Sequence, residues 1–306
     1  MTQDRTLTGI GLMLAFCVLA PLLDTASKLA TATIPVGQIT AARFLVQGLL
    51  MVPVALVMGL VWRVTRREAG LLLARAVFLI ASTYGFVAGV QVMPIADALA
   101  IVFVEPFILL LLGHLIFGDH IGPRRIIASA VGFVGCLLVI QPSLAAFGLV
   151  ALFPLVSAFA FAAYMLITRA MSAGVHPVMQ QLHTSIAGTV ICLPLLALAD
   201  VTHWPTLDPV MPQGWAWLWL FGVGFWAAAS HMCMTVALKY APASTLAPIH
   251  YLEIITAVLL GYVVFGDFPN AMTFAGIGVI VASGLYIIHR ERMTAAQARA
   301  VLPADI

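Results

Sequence analysis

Charge is what this chain has least of. Its 306 residues include only 14 Lys+Arg and 12 Asp+Glu, 8% in all, where soluble domains carry about 25%. So few charges cannot cover a water-soluble surface, and with 63% hydrophobic residues and a mean hydropathy of +1.10 the chain reads as an integral membrane protein. A net charge of +2, with the basic residues scattered, excludes a nucleic-acid partner. Cysteine is scarce too: Cys17, Cys136, Cys192 and Cys233 lie at irregular spacing inside apolar runs, which excludes a disulfide framework or a zinc site and leaves small core hydrophobes. No Walker A string is present, and no His-Glu-x-x-His, Gly-x-Gly-Asp or histidine-paired Gly-x-Ser motif, so an ATP-driven pump and a membrane-embedded enzyme are set aside. The charge rings or filter repeat of a channel are missing as well. The sequence calls for no cofactor and no metal.

What is present is a succession of apolar runs about as long as the ~20 residues that a helix needs to cross a bilayer. They cover Leu7–Ala30, Val36–Val61, Ala69–Met93, Ile95–Phe117, Ile126–Ile140, Phe147–Ile167, Gln180–Ala199, Trp215–Leu238, Ala243–Phe265 and Thr273–Ile288. The runs are continuous, without the period-2 alternation of a β-barrel. They predict an all-α membrane protein of ten transmembrane helices, with Met1–Thr6 and Arg290–Ile306 as short polar tails. The first run is too long for a signal-peptide core and is interrupted by Lys28, so it reads as a retained span. Eleven of the fourteen basic residues fall on one side: Arg63, Arg66, Arg67, Arg124, Arg125, Arg169 and Lys239 in alternate loops, and Arg5, Arg290, Arg292 and Arg299 in the tails. Both termini are therefore expected to be cytoplasmic. Arg75, near the inner end of the third run, is expected to snorkel, which leaves Arg43 as the intramembrane arginine.

The chain also matches itself. At a shift of 148 residues Pro94 falls on Pro242, Glu105 on Glu253, and LLGHLIFGD (Leu111–Asp119) on LLGYVVFGD (Leu259–Asp267). With 12 acidic residues in the chain, two acidic coincidences in one register are hard to attribute to chance. The match predicts two five-helix repeats, residues 1–142 and 143–306. Five being odd, the second must enter the membrane upside down, and the charges agree: Arg124 and Arg125 follow Asp119, whereas no basic residue follows Asp267 in its loop. Inverted repeats of this kind characterise secondary transporters, which rock about a site near the midplane.

Two five-span repeats, Arg43-Phe44 in the second run, Glu105-Pro106 in the fourth with its Gly-Asp end, and Glu253 ahead of Gly266-Asp267 together resemble the drug/metabolite transporter superfamily, EamA type. Asp24-x3-Lys28, Pro35-Val36-Gly37-Gln38 and Arg43 are similar to a bacterial branch that includes S-adenosylmethionine and riboflavin uptake carriers, beside exporters of amino acids and amines. The resemblance implies a multi-pass protein of the bacterial inner membrane that moves a small organic metabolite. No residue spells uptake or export. Its partners are a small-molecule solute and the lipid bilayer, with a homodimer as an open option.

Three groups of residues are candidates for the site. Glu105 and Glu253 sit about ten residues from either end of their runs, where a carboxylate costs about 2.5–3.5 kcal/mol on insertion scales and so must face the bundle interior or a cavity. Each reads either as a proton or cation site or as a structural tie between helices. His250, one turn before Glu253, makes the second repeat the richer in chemistry, while Asp97, Ile101 and Glu105 fall on one helical stripe and Pro106 is expected to kink the fourth helix. Asp24, Lys28 and Arg43 share one depth, as an ion cluster or as a dock for an anionic or zwitterionic group. Tyr84, Tyr164, Trp219, Trp226, His231 and Tyr251 lie inside spans rather than at the interface, as pocket wall or as packing. Gly85-x3-Gly89, Ala128-x3-Gly132 and Gly276/Gly278 read as small faces for close helix packing.

Overall fold

The structure is a computed structural model that describes residues 3–118, 122–140, 147–202, 207–266 and 271–301. Asp119 and Asp267, the loop residues Pro142, His203, Pro205, Pro269 and Asn270, and the boundary at 142/143 lie outside the described residues. Among those described, every regular element is helical: α1 (Gln3–Ala30), α2 (Val36–Val57), α3 (Arg66–Val92), α4 (Ile95–Val102), α5 (Glu105–Phe117), α6 (Pro123–Ile140), a 3-10 turn at Gly148–Ala151 leading into α7 (Leu152–Met171), α8 (Pro177–Thr202), α9 (Ala216–Tyr240), α10 (Ala243–His250), α11 (Glu253–Phe265) and α12 (Ala271–Val301). Seven stretches are long and apolar enough to cross a membrane, among them Ala243–Phe265, in which α10 and α11 run on from one another. Glu105–Phe117, Ile126–Gly135 and Phe274–Ser283 are shorter apolar helices.

The fourth and ninth runs, expected as continuous helices, are each broken in the middle. Pro106 is the second residue of α5. It has no N–H to donate, and its ring crowds the carbonyl four residues back, that of Val102, where α4 ends. Ile254 occupies the matching place in the second copy, yet the chain breaks at the same point. There the Leu252 and Ile255 amides donate to the Ile249 and Leu252 carbonyls at 3.0 and 3.2 Å, the tighter i→i+3 pattern. The break also ends the expected stripe through Asp97, Ile101 and Glu105. Both second pieces begin on the glutamate and end on a left-handed glycine, Gly118 (φ 66°) and Gly266 (φ 75°), so the repeat extends to the caps.

Some boundaries also shift. α2 stops at Val57 rather than Val61, and α12 continues as helix through the expected polar tail to Val301. α3 starts at Arg66 because Thr65 and Glu68 form a capping box: the Thr65 hydroxyl accepts the Glu68 amide at 3.2 Å, and the Glu68 carboxylate accepts the Thr65 amide at 2.7 Å. Donation from the Thr65 amide and hydroxyl, both 2.7 Å from that carboxylate, holds the Glu68 carboxyl below its ordinary value.

The most extensive helix pairings join one half to the other. α1 packs on α9 and α3 on α7, α2 on α8 and α6 on α12, and α4 and α5 lean on α11 and α10. Exchanging the halves element by element maps this set onto itself, as a two-repeat fold requires. Small residues allow the approach: a Cβ on Gly85 would sit 2.7 Å from the Phe153 carbonyl oxygen, and one on Gly89 2.7 Å from Pro154 Cγ. Gly132 lies under the Tyr251 ring, whereas Gly278 faces open space and is no part of a packing face.

Candidate functional site

Between the halves lies a cavity of about 70 Å³. α1 gives it Phe16, Asp24 and Ser27; α2 gives Arg43; α3 gives Ser82, Thr83 and Phe86; α4 and the break after it give Leu99 and Phe103. The second half adds Ser157 and Phe161 from α7, His231 from α9, His250 from the end of α10 and Glu253 from the start of α11. Its walls are thus largely aromatic and aliphatic, with two acids, one guanidinium and two imidazoles set into them.

The two carboxylates expected at the midplane meet on one histidine. His250 Nδ1 is 2.8 Å from Glu105 Oε2, and His250 Nε2 is 2.8 Å from Glu253 Oε2. Glu253 is on the cavity wall; Glu105 stands behind His250, 0% exposed, with its second oxygen unpartnered among the described residues. Phe16, Phe103 and Phe161 surround the imidazole, with ring centres 5.3–6.1 Å away. At the end of α10 the Cys17 thiol points at the carbonyls of Ile249, which also accepts the Leu252 amide, and of His250, 3.6 and 3.8 Å away.

Arg43 is held from behind. One terminal nitrogen donates to the Thr83 hydroxyl and the other to His231 Nε2 at 2.7 Å. Because arginine only donates, Nε2 must accept, so His231 carries its hydrogen on Nδ1 and gives it to the Tyr164 oxygen, 3.0 Å away. That oxygen also receives Arg75 at 2.8 Å. Arg75 does not snorkel: it is wholly buried, and its remaining N–H groups go to Thr168, Thr184, Thr235 and the Gln180 carbonyl. Arg43 lacks such closure, its Nε having no partner among the described residues.

Asp24 and Arg43 thus share one cavity with His250 and Glu253, although the sequence set them apart as separate groups, and His231 joins them. The Asp24 carboxylate makes no hydrogen bond or ion pair with the described residues and is open to the cavity. Lys28 departs from the expected cluster: it reaches the Met93 carbonyl at 3.2 Å and lies 4.9 Å from the centre of the Phe265 ring. Helical phase turns it from the cavity although its depth is right. Tyr84 and Trp226 are off the wall as well, half-buried against an apolar cluster around Leu23, Val87 and Val223. Tyr251 packs against Phe103 and Phe107, in the crevice that Gly132 leaves. Sequence reasoning missed Thr83, Ser82 and Ser157, the last two 3.1 Å apart across the cavity wall, since a serine inside an apolar run announces no partner. Among the described residues no group of three or more His, Cys, Asp or Glu is arranged to hold a metal ion.

Apolar helices outside and a charged chamber between two similar halves define a polytopic membrane protein organised around a central site. Residues 7–141 and 148–289 each match the EamA-like transporter family, and the chain belongs to it: it is a membrane transporter. It is similar to a riboflavin transporter from Rhizobium johnstonii, 28% identical over 221 residues that cover 72% of this chain and 70% of that one. It is also similar to an S-adenosylmethionine uptake transporter from Rickettsia felis, 24% identical over 286 residues, 94% of each chain. A solved crystal structure shares the fold, with a TM-score of 0.75 and 18% identity over 96% of this chain and 99% of its own.

Proposed function

We propose that the protein is a secondary carrier that moves a small organic metabolite across a bacterial cytoplasmic membrane by alternating access. The observation that carries this is the cavity at the junction of the halves: both contribute walls, so rocking one half against the other changes the side to which it opens. Arg43 offers donors for a carboxylate, Asp24 an acceptor for an amine, and Phe16, Phe86, Phe103 and Phe161 an apolar bed for a ring. An amino acid, an amine, a nucleoside-like molecule or a vitamin fits that lining, and the relatives named for S-adenosylmethionine and riboflavin support the same range.

The carrier has ten passes in this reading: the seven long spans, α4 with α5, α6 and α12. Repeats 1–142 and 143–306 then run in opposite senses with both termini cytoplasmic, supported by the two family matches and the one-sided loop charges. Reporter fusions after Phe117 and Met171 should read cytoplasmic, and fusions after Pro94 and near Pro209 external; two reversed signals would refute the topology. Glu253, on the wall, is the coupling carboxylate: it takes a proton while the cavity faces one side and yields it on the other. The test is uptake of labelled S-adenosylmethionine, riboflavin and amino acids into proteoliposomes holding purified protein. One of these should saturate, exchange with internal unlabelled solute and accelerate under an imposed pH gradient, and Glu253→Gln should keep the exchange and lose the acceleration. Flux that rises linearly for every solute would refute the carrier; wild-type flux indifferent to the gradient would refute the coupling.

A further inference from the structure

His250 is bonded through both ring nitrogens to carboxylates that belong to different halves, Glu105 and Glu253. A ring nitrogen without hydrogen is a lone-pair acceptor and cannot hold a carboxylate. Both contacts therefore need at least one proton beyond the imidazole's own N–H: with one, they close as an imidazolium between two carboxylates or as a neutral imidazole between one carboxylate and one carboxylic acid. The two arrangements carry the same net charge of one negative. Geometry thus sets that one proton as the minimum, whichever atom holds it.

We propose that Glu105, His250 and Glu253 form one binding site for one proton, shared between the halves, and that its occupancy clamps together the break points of the two discontinuous helices. The site rests on the carrier reading only for its use in transport; the clamp itself needs no solute. When the proton leaves, a single N–H faces two carboxylates. One contact opens, and two negative charges on opposite halves repel in a buried place. No bond to carbon changes: the proton passes from the triad to water in the cavity through Glu253, the one carboxylate of the pair on the wall. Glu105 is the partner on the first half; unlike Glu253, it can act on solute only through His250 and is a positioning residue.

Other titratable and charged groups face the triad from the elements around it. α1 brings Cys17 and Asp24, α2 brings Arg43 and α9 brings His231. α7 brings Tyr164, whose ring lies beside Phe161, and α4 carries Asp97 two turns ahead of its break. α3 brings no charged side chain to the cavity wall; its polar groups there are the Ser82 and Thr83 hydroxyls. Of the acids on the cavity wall, only Glu253 is joined to the other half through an imidazole.

The test has two arms. In the first, the thermal midpoint of the purified full-length protein is followed from about pH 5 to pH 10. The wild type should lose stability as the pH rises and the shared proton is released, and His250→Gln and Glu105→Gln should each flatten that limb. A wild-type midpoint without that limb, or one that both variants retain, overturns the clamp whether or not any solute is carried. In the second arm, Glu105→Gln, although off the cavity wall, should bind solute within about twofold of wild type and lose the pH-gradient acceleration as fully as Glu253→Gln. The double variant should be no worse than either single one. A full gradient response in Glu105→Gln, or losses that add in the double variant, overturns the sharing. Should Glu105→Gln not fold, His250→Gln reads the same two quantities. If no solute moves under any condition the carrier reading fails, and the first arm still decides the clamp.

Discussion

Two arginines are buried among the described residues, Arg75 at 0% and Arg43 at 3% exposure, and they differ in everything but burial. Arg75 is closed off. Its N–H groups end on neutral oxygens from α7, α8 and α9, and its guanidinium lies 4.5 Å from the centre of the Tyr164 ring. Arg43 is left ajar, with one nitrogen unpartnered, two held by Thr83 and His231, and a cavity in front of it. A satisfied buried charge ties helices together, whereas one with a spare donor at a cavity wall is available to a ligand. The two sit at opposite ends of one chain of contacts, Arg75 to Tyr164 to His231 to Arg43, so that the tie at one end aims the donor at the other.

Substitutions should pull the two apart. Arg75→Ala strips donors from buried neutral oxygens on three helices and is expected to cost several kcal/mol, at about 1–3 kcal/mol for each buried acceptor left unsatisfied. The readout is the loss of a monodisperse peak and of the thermal midpoint in detergent; a variant as stable as wild type would dissolve the distinction from the structural side. Arg43→Ala should cost about 1–3 kcal/mol of stability, the scale of its two hydrogen bonds, while saturable uptake in proteoliposomes falls at least tenfold. Unimpaired uptake together with unchanged stability would remove Arg43 from the site. Asp24→Asn keeps shape and loses charge. Weakened binding of an amine-bearing solute by about tenfold, the cost of one charge-assisted contact, is the expectation in a thermal-shift titration, with neutral riboflavin as the insensitive control. The smallest effect is at the surface. Glu68, held low by Thr65, contributes stability that is present above the ordinary carboxylate value and lost as the pH falls through its own lower one. Glu68→Gln should flatten only that acid limb of the stability curve, the opposite limb from the one His250→Gln removes.

The sequence made the glutamates visible because charge is so rare in it that two acids in one repeat register stand out. It could not reveal the histidine bridge. Glu105 and His250 are 145 residues apart and meet only because the halves pack face to face. The burial of Arg75 is hidden for a like reason: its partners Thr168, Thr184 and Thr235 are uncharged and sit on three helices of the other half. Lys28 shows the limit of depth as a guide, since rise per residue gives height in the membrane and leaves the azimuth open. The mid-span breaks left no trace in hydropathy, which is as high after them as before, although Pro106 marked one of the two. Thr65-x-x-Glu68 is a helix-start pattern, but it lies ahead of the apolar run that begins at Ala69, so hydropathy alone places the start too late.

The most extensive helix pairing in the described structure joins α1 to α9. These are far apart in the order of synthesis: some 185 residues emerge between Ala30 and Ala216. At about 5–20 residues per second, α1 waits roughly 10–40 s for its partner. During that interval Asp24 has neither Arg43's neighbourhood complete nor a finished chamber around it, and the polar flank of α1 must be shielded by lipid headgroups, water or the insertion machinery. A newborn first half is thus an unfinished object, and the quality control of this protein hinges on its last third arriving.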